Sequence, residues 1–214
     1  MVMSQTNDIV NVREIQLDCD WTQTTEDAYF KFLKEVSGLL KNDSIMLSVT
    51  IRLHQLRTKV PPVKRGVLMC YNTGGVRNAQ TNNSILDVDD VALYAKNIQS
   101  YALPLDVAYP TFSWAVWFSE DKFQALLRNL SNENENLTLK KENRYKVKEG
   151  FYQEGKYLQE GDEIRFETSG YEQIRQSKKM LEKYLTNYSV VVYHLDYNNL
   201  SKYTEDEINK IYAR

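Results

Sequence analysis

The sequence has few of the features that mark specialised classes of protein. Its 214 residues include only two cysteines, four prolines and eight glycines, and the formal net charge is −2. Nucleic-acid-binding proteins typically carry a basic face, and a net charge this close to zero gives no sign of one, so no nucleic-acid partner is expected. No apolar run approaches the ~18 residues of a membrane span. Cys19 and Cys70 both fall inside predicted strands, which favours small core residues over a disulfide or a metal site.

The amino terminus also lacks the pattern of an export signal. Met1 to Val10 contain neither the basic start nor the apolar middle of a signal peptide. The sequence therefore predicts a cytoplasmic protein, or one whose export segment lies outside this chain. Hydrophobic residues make up 42% and charged residues 26% of the composition, enough for a full core in one large domain or a compact pair. The 15 tyrosines stand out, because amphipathic rings suit sugar stacking as well as packing.

Strand and helix patterns alternate along the chain, which predicts a parallel sheet with right-handed crossovers. The predicted strands are Val12–Trp21, Ile45–Leu56, Gly66–Asn72, Leu105–Trp114 and Ser189–Tyr197. The predicted helices are Thr25–Leu40, Val88–Ser100, Phe123–Leu130, Gly170–Tyr184 and Thr204–Tyr212. We expect an α/β fold of the (β/α) TIM-barrel type, incomplete or open, because a closed barrel needs eight strands. A truncated barrel, an open half-barrel and a homo-oligomer whose copies complete the sheet all fit this count.

One segment, residues 131–168, interrupts the alternation. It consists of a polar run and two extended pieces separated by glycine turns, at Ser131–Arg144, Tyr145–Phe151 and Glu163–Thr168. The segment predicts a loose excursion with an inserted β-hairpin near 145–168, within a single barrel-like domain of residues 1–214. Arg165 and Glu167 are expected on a solvated face of this hairpin.

The most informative stretch is an alternating strand that ends in two carboxylates, Ile15-Gln16-Leu17-Asp18-Cys19-Asp20-Trp21-Thr22. Its apolar residues fall on one face, where Trp21 is expected to pack in the core, and Asp18 and Asp20 fall on the other. Inward carboxylates at the end of a strand that leads into a helix are typical of the mouth of a (β/α) barrel, where active sites lie. Asp18 and Asp20 are therefore the candidate catalytic residues.

The order of the motifs resembles that of the chitinase-type (family eighteen) glycoside hydrolases. Leu17-Asp18-Cys19-Asp20-Trp21 is similar to the end of their Asp-x-x-Asp-x-Asp-Trp-Glu signature, and Met69-Cys70-Tyr71-Asn72 is similar to their Met-x-Tyr-Asp motif. Residues 103–114 resemble the pattern of their seventh strand. The chain looks most like an uncharacterised bacterial group with an Asp-x-Asp-Trp strand. The resemblance implies that the chain covers barrel strands four to eight, and an exported or cell-envelope location if an upstream segment exists.

The chain departs from this pattern at the positions that carry catalysis. The first Asp of the signature falls on Ile15, and its Glu, the general acid of the family, falls on Thr22, whose hydroxyl is far too weak an acid. The Asp of the Tyr-Asp pair is Asn72. The resemblance implies that Asp18 and Asp20 orient the acid and hold the substrate's N-acetyl group. Two functions follow: a glycoside-hydrolase-like protein acting on or binding a glycan, and a non-catalytic carbohydrate-binding or scaffold protein.

The residues themselves leave two interpretations of the carboxylate pair. On one strand face their Cα atoms lie roughly 6.5–7 Å apart, and two close carboxylates in a poorly solvated lumen do not both ionise freely. Asp20, nearer the mouth, would then keep its proton and act as an acid. Alternatively, Arg52 and His54 on the next strand neutralise Asp18 and Asp20 in a structural network.

Other side chains are expected to line the same mouth, with Trp114 as a flat platform for a pyranose ring. The predicted substrate-binding residues are Arg52, His54, Tyr71, Asn72, Tyr109, Trp114 and Asp196. No cofactor is expected. A zinc site is not expected, because the sequence offers no closely spaced histidine pair and no cysteine partner. A hard cation held by Asp18, Asp20 and Asp196 is a weaker alternative. Gly74-Gly75 lacks the Lys-Ser/Thr that follows a phosphate-binding loop.

Overall fold

The computed structural model of the protein describes residues 12–41 and 44–213. The strands are β1 Glu14–Leu17, β2 Met46–Arg52, β3 Arg65–Met69, β4 Leu105–Pro110, β5 Ser113–Ser119, β6 Lys122–Leu127, β7 Leu137–Lys141, β8 Arg144–Val147, β9 Phe151–Gln153, β10 Lys156–Leu158, β11 Glu163–Thr168 and β12 Val190–Tyr193. The α-helices are α1 Glu26–Leu40, α2 Val88–Ala95, α3 Tyr171–Leu181, α4 Tyr197–Leu200 and α5 Glu205–Tyr212. Short 3₁₀ turns occupy Leu53–Arg57 and Lys96–Ser100.

The predicted parallel sheet is present, with the strand order β1-β2-β3-β4-β12. β1 pairs with β2, and β2 with β3, in parallel register. Between β3 and β4, Gly66 N donates to Pro104 O and Cys70 N donates to Ala108 O, an advance of four residues along both strands that is the signature of parallel pairing. The bonds between β4 and β12 advance in the same way. The predicted α/β class is therefore confirmed.

The described residues divide into two compact units. One unit holds the chain up to Met69, Tyr94–Val107 and Tyr184–Ser189; the other holds Cys70–Leu93, Ala108–Lys183 and the chain from Val190 onward. No helix within the described ranges is long and apolar enough to cross a membrane. The signal-peptide prediction for Met1 to Val10 lies outside the described residues.

The first unit is organised by helix α1 and strand β2. Leu33 of α1 is fully buried, and α1 contacts β2, whose central residues Leu47–Ile51 are all buried. Consecutive buried residues are typical of a parallel strand, because both faces of a parallel sheet are covered. Gly66 of β3 allows the close packing here, because a Cβ at that position would lie 2.9 Å from Ile51 Cγ1.

Several boundaries differ from the sequence predictions, each for a local reason. The strand predicted to reach Leu56 ends at Arg52, whose backbone N–H bonds Gln55 Oε1 at 2.8 Å and turns the chain into the 3₁₀ segment. The strand predicted over Leu105–Trp114 breaks at Pro110, which has no N–H for a ladder. Most other predicted elements are a few residues shorter in the structure. The helix predicted over Val88–Ser100 ends as an α-helix at Ala95 and continues as a 3₁₀ turn.

The predicted excursion is larger than a hairpin. β5 to β8 and β11 form an antiparallel five-stranded sheet in the order β6-β5-β11-β8-β7, and β9 and β10 form a separate hairpin. The predicted helix over Phe123–Leu130 is wrong, since β6 occupies Lys122–Leu127. Glu120 and Asp121 both have positive φ, 48° and 60°, which suits the tight turn that joins β5 to β6. The prediction of a loose polar run is also wrong where β7 forms.

This antiparallel sheet, which we call the insert sheet, has two different faces. One face packs in an apolar core together with Leu130, which follows β6, and Leu158 of the β9–β10 hairpin. The sheet contributes the buried residues Ala115, Leu127, Leu137, Val147 and Ile164 to this core. On the other face, Arg165 and Glu167 are buried rather than solvated, so the prediction for them is wrong. They are covered by the loop of residues 73–87, which follows β3 and receives hydrogen bonds from Arg165 and donates one to Glu167.

Candidate functional site

Asp18 and Asp20 follow β1, which ends at Leu17. Both are exposed, and each is bound by a side chain from β2. Thr50 Oγ1 donates to Asp18 Oδ1 at 2.8 Å. Arg52 donates from Nε to Asp20 Oδ1 and from Nη2 to Asp20 Oδ2, so both carboxylate oxygens of Asp20 are occupied. A bidentate guanidinium–carboxylate pair is the stronger and more rigid kind of ion pair.

His54 does not join this pair. It lies in the 3₁₀ turn beyond the end of β2 and is exposed. The pKa of His54 is lowered from its ordinary value, mainly by partial burial of the ring and to a lesser extent by the positive charge of Arg52. The negative charge of Asp20 opposes this shift. The shift favours the neutral form of the imidazole.

Thr22, which the sequence resemblance aligns with a general acid, lies in a cluster of hydroxyls. Its Oγ1 is 2.8 Å from Thr24 Oγ1 and 3.3 Å from Thr25 Oγ1. The neighbouring Trp21 is 4% exposed and packs on Tyr29, with ring centroids 6.2 Å apart, which confirms its predicted place in the core. Thr22 therefore contributes a hydroxyl, and not a carboxylic acid, beside Asp18 and Asp20.

The two cysteines differ from each other. Cys19 is exposed, so the prediction of a core position is wrong for it. Cys70 is buried as predicted, and burial raises the pKa of its thiol to about 12. Both thiols are free. Among residues 12–41 and 44–213, no group of three or more His, Cys, Asp or Glu side chains is arranged to hold a metal ion.

In the second unit, aromatic rings gather at the carboxyl ends of the parallel strands. Tyr71, two residues beyond β3, stacks on Tyr193, the last residue of β12, with centroids 5.2 Å apart and planes 12° apart. Phe112 meets both rings nearly edge-on at 5.9 and 6.1 Å, and packs on Trp114 at 5.1 Å. We call these four residues the aromatic cluster. Tyr71 is 7% exposed whereas Tyr193 is 48% exposed, so Tyr193 presents its ring to solvent.

Tyr193 was absent from the predicted site, because the predicted strand ran on to Tyr197 and placed Tyr193 in its interior. In the structure the strand ends at Tyr193, and strand ends are where barrel sites lie. Trp114 is half-buried, and its indole Nε1 donates to Glu167 Oε2 at 2.7 Å. Its ring is therefore held in one orientation by a charged acceptor from the insert sheet.

The remaining predicted residues have different environments. Tyr109 is fully buried within β4 and has no exposed surface for a ligand. Asn72 is exposed and adopts a left-handed backbone conformation with φ 51°. Asp196 is exposed, and its Oδ1 accepts from Asn199 N at 3.2 Å as the N-cap of α4. Of the predicted binding residues in this unit, the structure thus groups Tyr71 and Trp114 in the aromatic cluster.

No family model matches the sequence, and no curated protein matches it. Solved structures do match. The GH18 chitinase ChiB from the chitin utilization locus of Flavobacterium johnsoniae is 10% identical, with a TM-score of 0.59 over 99% of this chain and 62% of that one. The Bacillus cereus spore cortex-lytic enzyme SleL is 15% identical, with a TM-score of 0.53 over 90% of this chain and 47% of that one.

The chain has the fold of part of a chitinase-like TIM barrel. This confirms the predicted resemblance and the prediction of an incomplete barrel at the level of the fold, since identities of this size show no more. The chain spans about half the length of SleL. A third similar structure, the Ostrinia furnacalis Group IV chitinase in complex with allosamidin, is 11% identical, with a TM-score of 0.55 over 98% of this chain and 69% of that one.

Proposed function

We propose that the protein binds an oligosaccharide of N-acetylated amino sugars at the aromatic cluster and does not hydrolyse it by the chitinase route. The observation that carries this proposal is the half-exposed ring of Tyr193, stacked on the buried ring of Tyr71 at 5.2 Å. A large, rigid aromatic face with one side open to water offers apolar contact area at little conformational cost.

The cluster has the composition of a small-ligand site. Aromatic surfaces dominate such sites, with a few polar groups that fix the orientation of the ligand. Asn72, next to Tyr71 in the chain, contributes an exposed amide that both donates and accepts hydrogen bonds. An amide suits the hydroxyl and N-acetyl groups of a sugar, which need both kinds of partner. The half-buried Trp114 supplies a second ring near Phe112.

Binding without cleavage is favoured by the state of the carboxylates in the first unit. A glycosidase needs a carboxylic acid whose proton reaches the leaving oxygen. Both oxygens of Asp20 accept hydrogen bonds from Arg52, so both are engaged by the guanidinium rather than directed at a leaving oxygen. The sequence resemblance aligns Thr22 with the general acid of chitinases, and a hydroxyl does not replace a carboxylic acid in that role.

The choice of sugar probes follows from the enzymes whose structures are similar to this chain. They include chitinases, a spore cortex-lytic enzyme and a chitinase solved with allosamidin. Chitohexaose is therefore the first probe, allosamidin the second and fragments of spore cortex the third. Cellohexaose, which has the same linkage geometry and lacks the N-acetyl groups, is the matched negative control.

The proposal is tested by isothermal titration of the protein with chitohexaose and cellohexaose, followed by mass spectrometry of the recovered sugars. We expect saturable binding of chitohexaose, weaker binding of cellohexaose and no shortened products. Absence of binding to all of these probes would contradict the proposal.

A second candidate, hydrolysis with Asp20 as a relocated acid, is favoured by one observation: the Asp20 side chain is 62% exposed at the end of a barrel strand. The same mass-spectrometric assay separates the two functions. Shortened products from the wild type that disappear in Asp20→Asn would make the protein an enzyme and overturn binding without cleavage.

A further inference from the structure

A buried polar network lies on the face of the insert sheet that carries Trp114. Glu167 Oε2 accepts hydrogen bonds from Trp114 Nε1 at 2.7 Å and from Ser84 Oγ at 2.5 Å, and Glu167 Oε1 accepts one from Arg165 Nε at 2.5 Å. The side chains of Arg165 and Glu167 are fully buried. Trp114 and Glu167 are cross-strand partners in β5 and β11, which places their side chains on the same face.

The same network holds the loop of residues 73–87. Arg165 donates from Nη1 and Nη2 to two backbone carbonyls of the loop, at 2.8 and 3.1 Å. Arg144, in the adjacent strand β8, donates from Nη2 to two further carbonyls at 2.6 and 2.9 Å. This loop follows Tyr71 and Asn72 in the chain, so the network fixes both the indole of Trp114 and the segment that leaves the aromatic cluster.

A buried ion pair of this kind is poorly explained by stability alone. Removing both charges from water carries a large desolvation cost, and apolar replacements of similar volume are often as stable or more so. The value of such a pair lies in fixing one geometry, because each acceptor and donor is satisfied only in a single arrangement. Here the atom fixed in this way is the indole Nε1 of Trp114.

We propose that Glu167 is a positioning residue for the sugar platform: its carboxylate holds the indole of Trp114 in the orientation that receives a pyranose ring. This inference rests on the proposed function. Because Glu167 occupies the indole N–H, Trp114 contacts the sugar through its ring face only. The platform is also ordered before the ligand arrives, which removes part of the entropic cost of binding.

A double-mutant cycle with Glu167→Gln and Trp114→Phe tests the role of Glu167. Glu167→Gln keeps the size of the side chain and removes its charge, while Trp114→Phe keeps a ring and removes the N–H. We expect Glu167→Gln to weaken chitohexaose binding about five- to tenfold in the wild type. In the Trp114→Phe background the same change should have less than a twofold effect, because the N–H on which Glu167 acts is absent.

A second readout reports on the hydrogen bond itself. In a ¹⁵N-labelled protein, the indole N–H signals of Trp21, Trp114 and Trp117 are assigned through Trp→Phe variants. Glu167→Gln should shift the Trp114 signal and leave that of Trp21 in place. Glu172→Gln, which breaks an exposed ion pair with Arg175 on α3, is the matched control and should change neither the affinity nor the Trp114 signal.

The outcomes separate failure of this inference from failure of the proposed function. An unmoved Trp114 signal, or an equal loss of affinity for Glu167→Gln in both backgrounds, would overturn the positioning role. An unchanged affinity in Trp114→Ala, with normal affinity in the wild type, would remove Trp114 from the site and the positioning role with it. If the wild type bound none of the sugars, the proposed function itself would fail, and a shift of the Trp114 signal in Glu167→Gln would then report a purely structural bond.

Discussion

Tyr193 and Tyr71 lie face to face, with ring centroids 5.2 Å apart and an angle of 12° between their planes. The pair connects the last residue of β12 with the second residue after β3. Tyr71 is almost completely buried, so it acts as the fixed support and Tyr193 as the exposed surface. An offset stack of this kind is worth about 0.5–1.5 kcal/mol beyond the burial of its area.

The first prediction separates the ring of Tyr71 from its hydroxyl. Tyr71→Leu should lower chitohexaose affinity several-fold and the free energy of unfolding by about 1 kcal/mol or more, because Tyr193 loses its stacking partner. Tyr71→Phe keeps the stack and should bind chitohexaose within about twofold of the wild type. Denaturant titration and calorimetry measure both quantities. Equal affinities of Tyr71→Leu and Tyr71→Phe would show that the stack does not support the binding surface.

A pair of glycines gives a prediction about packing in the first unit. Gly66→Ala should destabilise the protein by about 1–3 kcal/mol, since the new Cβ would lie 2.9 Å from Ile51 Cγ1 and 3.0 Å from Leu103 Cδ2. Gly38→Ala, in the last turn of α1 with no atom within 4 Å of the new Cβ, should instead stabilise it by roughly 0.4–1 kcal/mol. Urea unfolding of the two variants should give shifts of opposite sign; a gain in stability for Gly66→Ala would contradict the described packing.

The order of the barrel elements was predictable from the sequence because the spacing of apolar residues in a strand or a helix depends only on neighbouring residues. Strands and helices alternate, and α1 begins one residue from its predicted start. The insert sheet was not predictable in the same way. A short apolar run such as that of β6 fits a strand and a buried helix equally well, so Phe123–Leu130 was assigned to the wrong class.

The candidate site was partly predictable, and the missing part is non-local. The position of Asp18 and Asp20 directly after the first strand was predictable because they close an alternating pattern. The burial of Arg165 and Glu167 was missed because the loop that covers them lies about eighty residues earlier in the chain. Tyr193 was missed because the strand was predicted to continue to Tyr197, which placed Tyr193 inside the strand rather than at its exposed end.

The acid dependence of stability follows from Glu163. Burial raises the pKa of this carboxyl, but hydrogen bonds from Lys140 and Arg144 outweigh it, and the pKa ends below the ordinary value of 4.5. A depressed folded-state pKa contributes stability that is present above about pH 4.5 and is lost as the pH falls further. Glu163→Gln should therefore lower Tm at pH 7. It should also make the difference in Tm between pH 7 and pH 3 smaller than in the wild type. Parallel Tm curves for the two proteins over this range would contradict the prediction.

The cysteines should differ in reactivity. Cys19 is exposed, whereas Cys70 is buried with its pKa raised to about 12, so its thiolate is almost absent at pH 8. Iodoacetamide should add one label to the native protein, at Cys19, and two labels in denaturant. Peptide mass spectrometry locates the labels, and labelling of Cys70 in the native state would mean that this strand opens readily.

The central claim is that a glycan binds on the exposed ring of Tyr193. The most direct measurement is calorimetric titration of chitohexaose into Tyr193→Ala and Tyr212→Ala. The two tyrosines are 48% and 50% exposed, but Tyr212 lies on α5 and takes no part in the aromatic cluster. We predict a loss of about tenfold or more for Tyr193→Ala and an unchanged affinity for Tyr212→Ala. Equal affinities in both variants, at the wild-type value, would contradict the account.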